Sequence, residues 1–272
     1  MNRQILILIF CIFGQTTFGQ GKADSLFSRG GQLYEQKDFL GAINCFKEVA
    51  LNYKSFKYHD QSIYNLAYTY DNIDSTEQAI FWYEKVRASN VKDNERVGGR
   101  GIFEPYSNYK NYSTFNIANI EYNKGSYEKA LDYYRQCLTK YPYYNESGTD
   151  IRINKNRLTI FIVDCLVGLK QYDEALTTIV PQVLDSYGSS NYKSVVKRAL
   201  TLIEANYDKK KIADELEVAF ETMKQKKNKY QFEFSWRAKT IELFPYSADK
   251  GITIESFITE IKQADFWKQL TN

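Results

Sequence analysis

Apolar residues recur with helical periodicity along most of the chain. Four alanines mark the pattern, and each has an apolar residue directly after it and a large apolar residue four positions later: Ala42, Ala79, Ala130 and Ala175. Residues three and four apart share one face of a helix. The pattern therefore predicts amphipathic helices that bury their alanine face against a neighbouring helix.

A second small or fairly small residue stands twelve positions before each alanine, at Gly30, Ala67, Ala118 and Val163. Small residues on two facing helices let the backbones approach closely. The segments in between contain a short polar turn, as in residues 34–42 (YEQKDFLGA). We therefore predict helix–turn–helix repeats over about 23–54, 60–90, 111–142 and 156–185.

The third repeat has the most complete set of marker residues: Ile117, Ala118, Tyr122, Gly125, Tyr127, Ala130, Tyr134 and Pro142. This set resembles the tetratricopeptide repeat, a helix–turn–helix unit of about 34 residues. The alanine spacings here are 37, 51 and 45 residues, so they indicate insertions after the second and third repeats. Arg29 and Gln182 depart from the pattern, since an apolar and a small residue are usual there. The resemblance implies an all-α, right-handed helical-repeat solenoid.

Two further apolar stripes follow, and they predict a degenerate helix pair over 190–227 that completes a repeat domain spanning 21–228. The pattern then changes in the segment 229–272, which is predicted to form a C-terminal cap. From Tyr230 to Ala238, apolar and polar residues alternate, which favours a strand, and Ile241 and Leu243 continue into a second. The alternative is a repeat-like helix over 232–244. Residues 253–270 are predicted to form an amphipathic helix.

The first twenty residues predict an export signal. Arg3 precedes an apolar run from Ile5 to Phe13 that is too short to span a bilayer, and small residues favour cleavage after Gly19. Lipidation at Cys11 is disfavoured because Phe10 precedes it. No later stretch is long and apolar enough to cross a membrane. We expect the mature chain in the periplasm or cell envelope, with full secretion as the alternative.

The composition offers little chemistry for catalysis. The chain has one histidine, His59, and no sequence pattern of a hydrolase, metalloprotease or cysteine-based metal site. We predict no catalytic residues, no metal ligands and no cofactor. A net charge of +3 gives no reason to expect nucleic-acid binding. Four lysines, Lys224, Lys226, Lys227 and Lys229, are interpreted as cations at a helix C-terminus.

Three cysteines follow the predicted signal: Cys45, Cys137 and Cys165. Each lies in a helical apolar pattern, so we predict buried core thiols. One disulfide plus a free thiol is the alternative. The loop from Val91 to Tyr112 contains a GGRG stretch, but it lacks the spacing of a phosphate-binding loop. Its length makes it a candidate edge of a binding site.

The resemblance also implies where a partner would bind. The first helices of such repeats line a concave groove, and the register places nine residues there: Tyr64, Tyr68, Asn72, Phe115, Asn119, Tyr122, Asn123, Arg157 and Asp164. Tyr64 and Phe115 stand where a clamp for acidic chaperone tails would need basic residues, so that specificity is not expected. Each of these residues could instead pack between repeats.

Aromatic and amide side chains in this groove suit an extended peptide. The sequence therefore predicts an exported, non-enzymatic scaffold that binds a protein or peptide partner, serving an envelope complex. The alternative is a glycan-binding module, since 16% of the residues are aromatic and rings stack on sugars.

Overall fold

The computed structural model describes residues 20–96, 105–185, 192–226, 231–244 and 252–272. The predicted export signal therefore lies outside the described residues, apart from Gln20. The chain divides into two compact units, residues 1–120 and 121–272, with the boundary inside one helix. The two units are described in turn.

The first unit consists of paired helices. Residues 20–35 form α1. The helices that follow are α2 (Phe39–Asn52), α3 (His59–Asn72), α4 (Thr76–Ala88) and α5 (Tyr109–Asn123), whose last residues belong to the second unit. Helix α3 packs against both α2 and α4. The contacts centre on fully buried small and apolar residues: Ala42, Val49, Leu66, Ala67, Ala79 and Val86.

The second unit continues the pattern with α6 (Tyr127–Thr139), α7 (Gly148–Gly168), α8 (Tyr172–Asp185), α9 (Tyr192–Asn206) and α10 (Lys209–Glu221). Helix α7 packs against α6 and α8, and α8 packs against α9. Ala130 and Ala175 are fully buried, as the sequence pattern requires. The predicted degenerate pair over 190–227 corresponds to α9 and α10.

The turns inside the four predicted repeats share one backbone conformation. In each, the residue five positions before the marker alanine is left-handed: Lys37 (φ 63°), Asp74 (φ 56°), Gly125 (φ 76°) and Lys170 (φ 62°). In the fourth, Lys170 N donates to Val167 O and Gln171 N donates to Leu166 O, and the other three turns have the equivalent bonds. This is the Schellman arrangement, which pairs the last carbonyls of the first helix.

Small and large side chains interlock between paired helices. A methyl group placed on Gly30 of α1 would come within 2.8 Å of Phe46 Cε1 on α2. Phe46 is almost completely buried. The absence of a side chain at Gly30 therefore leaves room for the Phe46 ring. The sequence pattern, with a small residue twelve positions before the marker alanine, predicts this close approach.

The departure from the repeat pattern at Gln182 has a structural explanation. Gln182 Nε2 on α8 donates to Asn156 Oδ1 on α7 at 2.5 Å, and both side chains are buried. Buried amides must be hydrogen-bonded to avoid a desolvation cost. The fourth repeat thus joins its helices here through a polar pair instead of a small residue. Arg29, the other departure, is exposed.

The C-terminal segment forms a three-stranded antiparallel sheet of order β1-β2-β3. Its strands are β1 (Lys224–Gln225), β2 (Phe232–Trp236) and β3 (Lys239–Leu243). The alternating side chains Phe232, Phe234 and Trp236 are buried, and Phe234 pairs with Ile241 across the hairpin. The predicted hairpin is confirmed, and the helical alternative for 232–244 is wrong.

Arg237 anchors this hairpin to the helices. Both turn residues, Arg237 (φ 47°) and Ala238 (φ 59°), are left-handed, as the common two-residue hairpin turn requires. The Arg237 guanidinium donates to both Glu215 carboxylate oxygens, at 2.8 and 3.3 Å, and to Asp173 at 2.8 Å. It also lies 5.2 Å from the Tyr207 ring centre. One side chain therefore connects the hairpin to α8 and α10.

The last predicted helix is interrupted. Instead of one helix over 253–270, the structure has α11 (Ile254–Gln263) and α12 (Asp265–Thr271), separated by an extended Ala264. In an unbroken helix Phe266 would lie about 180° around the axis from Phe257. The break lets both rings be buried. The predicted architecture, helical repeats followed by a small C-terminal hairpin and helix, is otherwise confirmed.

The interpretation of the lysine run as cations at a helix end is wrong where the structure tests it. Helix α10 ends at Glu221, and Lys224 lies in strand β1. Lys226 instead forms ion pairs with Glu233 at 3.0 Å and Glu242 at 2.7 Å on the neighbouring strands. Lys227 and Lys229 lie outside the described residues.

The three described cysteines are buried free thiols, so the disulfide alternative is not formed. Burial raises the pKa of Cys165 to about 12, which keeps it protonated at neutral pH. Within the described ranges, no helix combines the length and apolar character that a membrane span requires.

The shared turn conformation generates a stability prediction. Lys170→Gly should raise the free energy of unfolding by about 0.5–1 kcal/mol, because glycine adopts a left-handed conformation without the strain of a side chain. Gly125→Ala should lower it by about 1 kcal/mol for the converse reason. Urea denaturation followed by circular dichroism measures both. As a control, Lys140→Gly should not stabilise, since Lys140 follows α6 in a right-handed conformation.

Candidate functional site

A cluster of tyrosines occupies the first helices of the first unit. Tyr64 and Tyr68 stand one turn apart on α3, with ring centres 6.1 Å apart and planes only 12° from parallel. Tyr34 of α1 lies 5.9 Å from Tyr68. Tyr109 and Tyr112 of α5 contact Tyr64 from the other side, with ring centres 5.4 and 6.2 Å away. The cluster therefore extends over three successive first helices.

A recess of about 280 Å³ opens between α1 and α3. A side chain at Gly31 would meet no atom within 4 Å, so this glycine leaves the opening unobstructed. We call this opening the tyrosine recess. Its lining residues are Gly31, Tyr34, Glu35, Phe46, Tyr64, Asn65, Tyr68 and Thr69.

Partly buried hydrogen bonds between α3, α4 and α5 support the cluster. Tyr83 is fully buried on α4, and Asn116 Nδ2 donates to its hydroxyl at 2.9 Å. The same hydroxyl donates to Asp71 Oδ2 at 3.4 Å. Burial raises the pKa of Tyr83 and of Asp71, although the Tyr83 hydrogen bond works against the shift at Asp71. The Tyr64 ring lies 6.0 Å from Tyr83, so this network helps to fix its position.

The structure brings two of the predicted site residues of this unit into the recess. Tyr64 is half-buried, and Tyr68 is 41% exposed. Asn72 is exposed one turn further along α3, where its side chain donates to Tyr68 O at 2.7 Å, but it does not line the recess. Phe115 and Asn119 are half-buried on α5. None of the five is fully buried, so all five retain accessible surface.

The predicted site residues of the second unit differ in exposure and in the contacts they make. Asn123 and Arg157 are exposed, and Tyr122 is half-buried with its ring against Phe161 and Tyr127. The Asp164 carboxylate accepts from Arg198 Nε at 2.5 Å. An acidic group with a cation already bound has less attraction left for a ligand. The Asp164 carboxylate is therefore less available to a ligand than its position in the register suggests.

Sequence reasoning missed Tyr34 and Glu35, although the register contained the signal. Tyr34 stands eight residues before its marker alanine, the same position as Tyr122 in the third repeat. Glu35 stands seven residues before it, as Asn72 and Asn123 do in their repeats. Applying the register to the first repeat would have found both.

The base of the long inserted loop is ordered by one carboxylate. Asp93 is buried and accepts from the backbone N–H groups of Lys110 and Asn111, each at 2.8 Å. It thereby caps the first turn of α5 from a distant position in the chain. Burial raises the Asp93 pKa, while these two hydrogen bonds and the Lys110 charge oppose the shift. Residues 97–104, which include the GGRG stretch, lie outside the described residues.

The lining of the recess provides several kinds of binding group. It offers phenols, one amide, a hydroxyl and one carboxylate, which can stack, exchange hydrogen bonds and attract charge. Within the described ranges, no cluster of three or more His, Cys, Asp or Glu residues could hold a metal ion.

Comparison with known proteins identifies the repeats. One family model for the tetratricopeptide repeat matches residues 112–142, and a second matches residues 60–86. These two segments are therefore tetratricopeptide repeats. The two matched segments are the third and second repeats of the sequence analysis, and the third is the one with the most complete set of marker residues.

Solved structures of other proteins resemble this one. Two are kinesin light chain structures with nearly identical repeats from Podosopora anserina, one of them a variant with a single substitution. Each is 12% identical with a TM-score of 0.48, over 72% or 71% of this chain and 91% of theirs. The apo form of RapI is 14% identical with a TM-score of 0.50, over 74% of this chain. The chain spans only 52% of the RapI chain. Comparison with curated proteins gives no match.

The Asp93 contact generates a prediction about the loop. Asp93→Ala should lower the free energy of unfolding by about 1–3 kcal/mol, because it leaves two helix N–H groups without their acceptor. It should also speed hydrogen exchange at the Lys110 and Asn111 amides. Asp208→Ala removes an exposed cap from α10 and should leave those two amides unchanged. Unchanged exchange in Asp93→Ala would contradict the capping role.

Proposed function

We propose that this protein is a non-catalytic scaffold that binds a segment of a protein partner on the first-helix faces of its repeats. The observation that carries the proposal is the tyrosine recess, where Tyr68 keeps 41% of its surface exposed beside a concave opening. Tyrosine is enriched at protein interfaces because it combines a large apolar ring with a polar hydroxyl.

An extended peptide matches the chemistry of this surface. Its backbone needs donors and acceptors, and Asn65 in the recess and Asn72 beside it both provide them. Its side chains need apolar contact, which the tyrosine rings offer. On α5, Phe115 and Asn119 repeat the combination of an aromatic ring and an amide.

A glycan ligand is the second candidate, and the exposed ring of Tyr68 is the observation that favours it. Sugars stack on accessible ring faces. Tyr64 is half-buried among the rings of Tyr68, Tyr83, Tyr109 and Tyr112, which limits the ring area that a sugar could cover. The peptide proposal therefore has the stronger support.

We also propose that the protein acts outside the cytoplasm, as part of a cell-envelope complex. The support is the sequence of the first twenty residues, with Arg3 before an apolar run and small residues at the cleavage site.

The binding surface can be tested by affinity capture. We expect the protein to capture a partner from envelope extract. The double variant Tyr68→Ala/Asn119→Ala should bind this partner about tenfold more weakly or worse, as for loss of a central aromatic anchor. The matched control is Phe81→Ala/Asn44→Ala, which removes an exposed ring and amide from α4 and α2. The control should retain the partner, and circular dichroism should show equal helix content in both variants.

Each other outcome would contradict the peptide proposal in a different way. Retention by Tyr68→Ala/Asn119→Ala would show that the first-helix face is not the binding surface. Capture of no protein, together with glycan-array binding that requires Tyr68, would establish the second candidate instead.

The export proposal predicts a processed chain. In a Gram-negative host, the protein should be recovered from the periplasm or membranes with its N-terminus at Gln20, as read by mass spectrometry. Leu6→Asp/Leu8→Asp should leave a full-length chain in the cytoplasm, because charges interrupt the apolar run. Leu6→Ile/Leu8→Ile should be processed normally. An uncleaved cytoplasmic protein without any substitution would contradict the proposal.

A further inference from the structure

The tyrosine recess has one charged group on its lining. Glu35 follows Tyr34 on α1, and its side chain is exposed. In the part of the chain that the structure describes, the Glu35 carboxylate has no ion-pair or hydrogen-bond partner, and no lysine or arginine lines the recess. The recess therefore has a negative charge that no neighbouring cation neutralises.

The aromatic walls add to this electrostatic character. The faces of Tyr34, Tyr64 and Tyr68 carry the negative side of the ring quadrupole, which attracts cations within about 6 Å of the ring centre. Burial, followed by the neighbouring Tyr68, raises the pKa of Tyr34 to about 12. This phenol is therefore neutral at physiological pH, and Glu35 supplies the formal charge.

The size of the recess favours one side chain over a whole small molecule. Its volume of about 280 Å³ lies just below the range of about 300–1,000 Å³ that is usual for small-molecule sites. The tyrosine rings supply apolar surface on the lining. Long cationic side chains bury their methylene stems on apolar surface while the charged head remains near water. Apolar, aromatic and acidic groups are thus combined in one small opening.

We propose that the tyrosine recess binds a lysine or arginine side chain of the partner segment. The inference rests on the proposed function, since it names the residue type that the partner presents to this face. The stem of the bound residue packs on the tyrosine rings of the lining, and its charged head lies against the exposed ring of Tyr68 within reach of Glu35.

Blocked amino acids provide a direct test. The probes are the Nα-acetyl methylamides of arginine, lysine, norleucine and glutamate, titrated into the isotope-labelled protein. Amide signals of Gly31, Glu35 and Asn65 are followed by NMR. We expect saturable shifts with arginine and lysine, at affinities about threefold to thirtyfold above norleucine, from the combined cation–π and ionic attraction. The glutamate probe should give no shift.

Matched variants separate charge from shape. Glu35→Gln and Tyr68→Leu should each weaken arginine binding about twofold to fivefold. Glu77→Gln, on an exposed position of α4, should not. Equal affinity for norleucine and arginine would overturn the inference, as would the absence of shifts with any probe or an unchanged affinity in Glu35→Gln.

The captured partner distinguishes this inference from the proposed function. If Glu35→Gln captures the partner as well as the unmodified protein does, while Tyr68→Ala/Asn119→Ala loses it, the binding surface stands and the basic-residue inference fails. Loss of the partner in Glu35→Gln, with capture retained in Glu77→Gln, supports the inference.

Discussion

The close approach of paired helices is the constraint on which the rest of this structure depends. In each repeat the marker alanine is fully buried, and Gly30 in the first repeat shows how little room remains, since even a methyl group there would come within 2.8 Å of Phe46. Close packing fixes the rotation of each helix about its axis. Because the faces that pack between paired helices are fixed, the opposite faces of the first helices are fixed too. Tyr64 and Tyr68 owe their common direction to the burial of their neighbours Leu66 and Ala67.

Much of the fold could be predicted because helical packing leaves a periodic trace in the sequence. The alanine register located the repeats, and the alternation over 230–238 located the hairpin. Contacts between distant segments leave no such trace. Nothing in the sequence indicates that Asp93 caps α5, that Arg237 reaches Glu215 and Asp173, or that Lys226 forms ion pairs with two glutamates on β2 and β3.

The candidate site was predictable to a similar extent. Tyr64 and Tyr68 follow from the register, and so would Tyr34 and Glu35 if the register had been applied to the first repeat. The recess itself was not predictable, since it needs the missing side chain at Gly31 together with the spacing of α1 and α3. The ion pair of Asp164 was not predictable either, since its partner Arg198 lies on α9, two helices further along the chain.

The C-terminal hairpin and last helix cover one side of the final helix pair. A helix of a repeat array buries one side against the repeat before it and the other against the repeat after it. Here β2 and α12 pack on α10, with Phe234 and Trp267 against Phe220. These segments take the place of a next repeat. A further helix pair could not pack on this side of α10 without displacing them, so the contacts that complete the fold also close this side of the last helix pair.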